Sequence, residues 1–343
     1  MLRKNLASPL RHIGLSLALV SLTACQSVQW NSQVIAHAFN FATSYQQKRL
    51  DRFAPATVQV QKNVLYQQQP DLTLDIYQPK YAQQFSTRPT VIWLHGGGWL
   101  AGAKDRARGY FKLLAAQGFN VVAVQYQLAP EVVYPTQLQQ IDQALNFLQQ
   151  HAADYQIDPQ QFYLAGDSAG ANLASHYAAL VSNPAFAQQS QLQPSIHSAQ
   201  IKGLILHCGI YDLHAFKQTA PDQLKIVEWT VENLLAAYTR QQQDQADWLK
   251  SISPTEYLSA NYPPVFISGG NKDFLTETQA MPFVAQLQQH QIPVEPVFYQ
   301  DSKEWLIHEY QFMLNKKASQ QTFYRTVEFI QRHSRFDAVK GFT

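Results

Sequence analysis

The sequence predicts an α/β protein: a mostly parallel sheet of eight strands, with helices on both faces and a helical insertion. Three observations lead there. From Arg88 onward, short apolar runs alternate with stretches of helical periodicity, the pattern of a parallel sheet covered on both sides. Ahead of them stand two adjacent β-rich runs, Thr57 to Tyr66 and Leu72 to Tyr77. One break interrupts the alternation: Tyr211 to Leu258 places about 48 residues between two strand candidates, too many for a plain crossover. A chain of 343 residues is long enough to close these elements around one large core.

The elements follow in order. Residues 26–55 carry Val34, Ile35, Ala38, Phe39, Ala42 and Tyr45 at helical spacing, which predicts a helix. Leu72, Leu74 and Ile76 alternate with polar residues, as a half-buried antiparallel strand should. The six later strand candidates are Thr90 to Leu94, Asn120 to Tyr126, Phe162 to Ala165, Ile201 to His207, Pro264 to Ser268 and Val294 to Tyr299. Between them Leu138, Ile141, Leu145 and Leu148 share one helix face, and Leu173, Ala174, Tyr177 and Leu180 another. A last helix carries Phe323, Val327 and Ile330. In the insertion Ile226, Trp229, Val231, Leu234 and Leu235 mark apolar helical faces, read as part of a lid or as a peripheral decoration.

A net charge of +2, with no basic stripe, gives no electrostatic basis for nucleic-acid binding. The two cysteines are Cys25 and Cys208. Arg3, Lys4 and Arg11 precede the apolar run Ile13 to Leu22, which is too short to cross a bilayer and fits the core of a signal peptide. The run ends in Leu22-Thr23-Ala24-Cys25, which resembles the lipobox of bacterial lipoproteins. That resemblance implies a leader over 1–24, an acylated Cys25 as membrane anchor, a location in the cell envelope, and no Cys25–Cys208 disulfide. Acyl chains on that one residue would hold it stably at a membrane. An ordinary cleaved secretory signal is the competing reading.

The chemistry concentrates in three places. Gly166-Asp167-Ser168-Ala169-Gly170 follows a strand and precedes a helix, the setting in which a G-x-S-x-G serine is thrust out on a strained turn. His95-Gly96-Gly97-Gly98-Trp99 follows another strand, so glycine N–H groups can converge with that of Ala169 on a developing oxyanion. Gly97, Gly98 and Ala169 are the candidate donors. A base and an acid should follow the nucleophile in the order acid, then histidine. Asp273 lies just past the strand Pro264 to Ser268, and His308 just past Val294 to Tyr299. Asp212 follows its strand one strand too early, and Asp301 belongs to the loop of the histidine. No H-E-x-x-H, cysteine cluster or phosphate loop accompanies these residues, so neither metal nor cofactor is expected.

These motifs resemble the hormone-sensitive-lipase-like esterases of the α/β-hydrolase superfamily, with feruloyl-esterase-like and kynurenine-formamidase-like relatives. Tyr126-Gln127-Leu128-Ala129-Pro130-Glu131, Ile157-Asp158-Pro159, Gly166 to Leu173, Tyr211-Asp212-Leu213 and Ser253-Pro254 carry the likeness over about 88–335. The departures are Gln127 for the usual Arg, Ala171 for Gly, Trp99 for Phe, and Glu309-Tyr310 after His308 in place of Gly-Phe. The resemblance implies an α/β-hydrolase fold and hydrolysis of small to medium acyl esters through an acyl-enzyme on Ser168. Trp99, Trp229, Phe274 and Trp305 are candidates for setting substrate size, with core packing as the alternative for each. An amide hydrolase on the same fold, or an inactive envelope-binding lipoprotein, are the other readings. The expected partner is a small-molecule ester.

Overall fold

The computed structural model describes residues 10–80 and 87–334, with side chains from residue 27 onward. The expected leader and Cys25 therefore lie outside the side chains described. A long helix, α1 (Leu10–Leu50), opens the chain and includes the predicted lead-in helix. The strands β1 (Val58–Leu65) and β2 (Thr73–Pro79) come next. Then follow β3 (Arg88–Leu94), α2 (Arg108–Ala116), β4 (Asn120–Val124), α3 (Thr136–Gln150), β5 (Ile157–Asp167), α4 (Ala169–Ser182) and α5 (Pro184–Gln189). The remainder is β6 (Ile201–His207), α6 (Leu213–Thr219), α7 (Lys225–Tyr238), α8 (Ala246–Ser251), β7 (Val265–Gly269), α9 (Met281–Gln289), β8 (Val294–Phe298) and α10 (Lys317–His333). The eight strands form one sheet in the order β1-β2-β4-β3-β5-β6-β7-β8. Strand β2 is antiparallel to both neighbours, while the pairs from β4 to β8 are parallel. This is the α/β-hydrolase fold.

Strand pleating explains the composition of the runs. Alternate residues point to opposite faces. Ile92, Leu94, Leu164, Leu204 and Ile267 face one core, which α3 and α4 cover with Leu138, Ile141, Leu173 and Tyr177. Val91, Trp93, Tyr163, Ile205 and Phe266 face the other, covered by Tyr110 and Phe111 of α2 and Phe323 and Val327 of α10. With both faces covered, the central strands read as near-continuous apolar runs. Strand β2 departs from the half-buried expectation, being buried on both faces from Thr73 to Gln78. Its polar position is accommodated by a partner: Lys104 Nζ lies 2.8 Å from Asp75 Oδ1, and the Asn63 N–H donates to the same oxygen over 2.9 Å. The exposed edge falls to β1 instead.

The insertion folds as α6, α7 and α8 between β6 and β7. Helix α1 lies against α7, joined by a hydrogen bond from Asn31 Nδ2 to Asn233 Oδ1 of 2.8 Å. Among the described residues, no helix is long and apolar enough to cross a membrane.

Replacing Lys104 with Met strands a buried carboxylate and is expected to cost roughly 3–5 kcal/mol in urea unfolding. The double variant Lys104→Met/Asp75→Leu should recover most of that loss, because removing both charges removes the unpaired one.

Candidate active site

The carboxyl ends of β3, β5, β7 and β8 open on one edge of the sheet, where such sheets bind ligands. Pairing of Leu94 with Gly166 sets the glycine loop after β3 beside the turn after β5. In that turn Ser168 has φ 52° and ψ −120°, a backbone region that strains a non-glycine residue. The flanking glycines are required by contact. A Cβ on Gly166 would stand 2.4 Å from the Gly170 carbonyl carbon, and one on Gly170 only 2.0 Å from the Leu94 oxygen. The turn sets Ser168 on the cavity wall at the N-terminus of α4.

Three side chains from three loops meet there. Ser168 Oγ–H donates to His308 Nε2 over 3.0 Å, and His308 Nδ1–H donates to Asp273 Oδ2 over 2.7 Å. Asp273 is nearly sealed, and its other oxygen accepts the Leu275 N–H over 3.1 Å. The His308 side chain keeps 40% of its surface open, so the proton it would carry can reach a bound molecule. Asn271 joins the acid and base loops: its Nδ2 donates to the Ser302 oxygen over 2.8 Å, and its Oδ1 accepts the Leu306 N–H over 3.1 Å. Nothing local in the sequence marks Asn271 for this, because its partners lie more than thirty residues away.

Of the three loop glycines, Gly96 is engaged, its N–H donating to Asp167 Oδ2 over 2.9 Å. Gly97 and Gly98, with φ 113° and 59°, line the cavity together with Ser168. Ala169 begins α4 directly after the serine. Trp99 takes the core-packing alternative: it is fully buried and stacked on Tyr238 of α7 at 4.4 Å, which ties the glycine loop to the insertion. Trp305 is 67% exposed, with Lys272 over its ring, whereas Phe274 does line the cavity. Asp212 caps α6 by accepting the Ala215 N–H. Gln127, in place of the family arginine, forms an amide pair with Gln140 over 2.6 Å.

The cavity above Ser168 measures about 760 Å³. Its walls are mainly apolar: Phe39 and Ala42 from α1, Val227 and Val231 from α7, and Phe274 and Met313 from the acid and base loops. Lys272 and Arg49 also line it. The insertion thus roofs the site, and α1 shares that task, a role its periodicity did not disclose.

Cys208 is a free, buried thiol beside the imidazole. Burial pushes the thiol up to about 11, so it stays protonated at neutral pH. Cys208, Asp273 and His308 place potential metal-ligand atoms within 4.8 Å of one another. The 2.7 Å His308–Asp273 contact is, however, a hydrogen bond, tighter than the roughly 3.3 Å that two ligands of one tetrahedral zinc require. For His308 itself, burial opposes the charged form. The carboxylate of Asp273 outweighs it, so the imidazole titrates above its usual range.

The sequence model of the BD-FAE family matches residues 74–287. Esterase LipQ of Mycobacterium tuberculosis is 27% identical over 218 residues, 62% of this chain and 49% of that protein. An acetyl esterase of Salmonella typhi is 27% identical over 246 residues, 69% of this chain and 70% of its own. The chain spans about half the length of the mycobacterial relatives it matches. Among solved structures, esterase B from Lactobacillus rhamnosis superposes with a TM-score of 0.75 at 21% identity, over 90% of this chain and 96% of that one. A bacterial heroin esterase gives 0.70 at 18%, over 89% and 93%.

A serine activated by neutral His308 should react with a fluorophosphonate probe along a limb that rises with pH. Because the imidazole is raised, that limb is expected to centre above the ordinary 6.5. Asp273→Asn should move it downward, read as labelling rate against pH.

Proposed function

The chain belongs to the BD-FAE family of α/β-hydrolases, and from that membership we propose that it is a carboxylic-ester hydrolase working through an acyl-enzyme on Ser168. One observation carries the reading: the hydrogen-bonded line Ser168–His308–Asp273 on the floor of an apolar cavity beside two cavity-lining glycines. Ser168 Oγ attacks the ester carbonyl while His308 Nε2 takes its proton. Asp273 holds the Nδ1–H tautomer and stabilises the imidazolium that forms. The N–H groups of Gly97, Gly98 and Ala169 receive the oxyanion. Collapse returns the proton from His308 to the departing alkoxide and leaves the acyl group on Ser168. Water then repeats the sequence and releases the acid.

The cavity supports acyl groups of small to medium length, held by dispersion and burial rather than by paired charges. We infer as well that Cys25 is acylated and holds the protein at a membrane of the cell envelope. The order of basic segment, apolar run and Leu22-Thr23-Ala24-Cys25 supports this. Mass analysis of the mature N-terminus should find acylated Cys25; an unmodified residue there would remove the anchor from the account.

A panel of p-nitrophenyl esters of graded acyl length tests the activity. Wild type is expected to turn over the short and medium members, and Ser168→Ala to lose roughly a millionfold in kcat. Equal turnover by the two proteins sinks the proposal. Val227→Trp, which fills the cavity from α7, should lower the ratio of octanoyl to acetyl turnover by about tenfold, the order expected for steric exclusion of a few methylenes.

A further inference from the structure

Large apolar side chains left in water are ordinarily scattered, and a contiguous set of them marks a contact surface. Among the described residues, all but Phe53, Leu65 and Tyr324 of the large exposed apolar side chains lie on α1 or around the mouth of the cavity. On α1 they are Trp30, Val34, Phe41 and Tyr45. At about 3.6 residues per turn these four fall within roughly 60° of one another, so they form one stripe along the helix. The stripe runs into the cavity, whose lining includes Tyr45. Ile226 of α7 and Ile307 of the base loop are likewise both exposed and cavity-lining, which places them at its opening. Leu224 extends that apolar edge on the α7 side, and Trp305 on the side of the base loop. Phe41 and Leu224 are 80% and 75% exposed, so neither packs on the protein itself.

Cations flank this apolar set. Over residues 27–50 the helix has no aspartate or glutamate and ends in Lys48 and Arg49. Lys48 lies five turns from Trp30 on the same side, at about 3.6 residues per turn. Arg49 and Lys272 line the mouth, and Lys272 Nζ stands 5.6 Å over the Trp305 ring. Among the described residues, none of the three is ion-paired. Arg49 donates to Asn315 Oδ1 over 2.8 Å instead. Neighbouring acids are occupied elsewhere. Glu228 accepts from Lys225, Glu304 accepts the Lys317 and Ala318 N–H groups, and Glu309 turns its Oε1 toward Gly96.

We propose that the exposed stripe of α1 and the mouth of the cavity together form a docking surface for an anionic lipid bilayer. The chemistry matches side by side. Tryptophan and tyrosine settle at headgroup level, aliphatic side chains reach the acyl boundary, and unpaired lysine and arginine meet the phosphates. A second copy of the chain fits this face poorly. An isologous contact would bring two sets of cations into one interface, with no carboxylate on the stripe to meet them. On the ester-hydrolase reading above, docking opens the cavity to esters dissolved in the bilayer.

The test puts the full chain on vesicles of phosphatidylglycerol and phosphatidylcholine whose acyl chains carry bromine, which quenches tryptophan emission at short range. An attachment at the N-terminus alone leaves residue 305 in water, whereas docking seats it in the interface. The Trp305 emission, read as wild type minus Trp305→Phe, is expected to fall by roughly twofold or more, as for a ring at headgroup depth. Tyr324→Trp, a reporter at an exposed site of α10 outside the cavity lining, should gain an emission that the vesicles do not quench. Vesicles of phosphatidylcholine alone should lower the docking constant by about tenfold or more, the order expected for losing the attraction on several basic side chains. Phe41→Ser/Leu224→Ser, which alters neither the core nor the cavity lining, should restore the Trp305 emission and leave the Tm unchanged. An unquenched Trp305, equal quenching of Tyr324→Trp, quenching indifferent to the anionic lipid, or quenching retained by Phe41→Ser/Leu224→Ser overturns the proposal. So does a lipid-free dimer that Phe41→Ser/Leu224→Ser dissolves, which would give the face to a second copy. None of these readouts uses a substrate. Failure of ester turnover therefore removes the activity reading, while the emission decides the docking.

Discussion

The backbone at Ser168 is the constraint from which the rest of the site follows. A residue held at φ 52° and ψ −120° is costly, on the order of 1–3 kcal/mol, and persists only where its surroundings leave no alternative. Here they leave none. Strand β5 lies in the middle of the sheet, and α4 is so deeply enclosed that every residue but Val181 is buried. Asn172 Nδ2 binds the Ile210 oxygen over 2.9 Å and fixes the helix to the far side of β6. Burial of α4 more than offsets the strain of the turn that precedes it. The close approach of Gly166, Gly170 and Leu94 transmits that rigidity to the hydroxyl.

Two buried acids flank the serine in different surroundings. Asp273 accepts the His308 Nδ1–H, which fixes the tautomer whose Nε2 faces Ser168. Asp167 faces a second carboxyl and little water, an arrangement that favours the acid. Cys208, sealed beneath the imidazole, stays protonated and adds no competing charge at neutral pH.

Much of this was legible in the chain because the relevant signals are local. Short apolar runs located the strands, and the turn around Ser168 announces itself within five residues. Asp273 and His308 were readable from chain order, since each follows a late strand directly. What escaped depends on partners remote in sequence. Strand β2 reads as half-buried because nothing near Asp75 shows that Lys104 will neutralise it. Trp99 reads equally as core or as cavity wall until Tyr238 is found stacked on it. Asn271 and the wall contributed by α1 are tertiary facts, for which periodicity and motif carry no sign.

The cavity wall built by α1 has a consequence for how selectivity is inherited. The family match runs from 74 to 287, so Phe39 and Ala42 fall before it, just as His308 and Met313 fall after it. The shared segment contains Ser168, the glycine loop and Asp273, which the proposed reaction uses to make or steady bonds. The surface of the cavity comes partly from a leading helix held to α7 by packing and the Asn31–Asn233 bond. Such a helix can drift, lengthen or be exchanged among descendants while every reacting atom stays in place. Proteins with the same chemistry can therefore diverge in diet through residues that a family signature never sees.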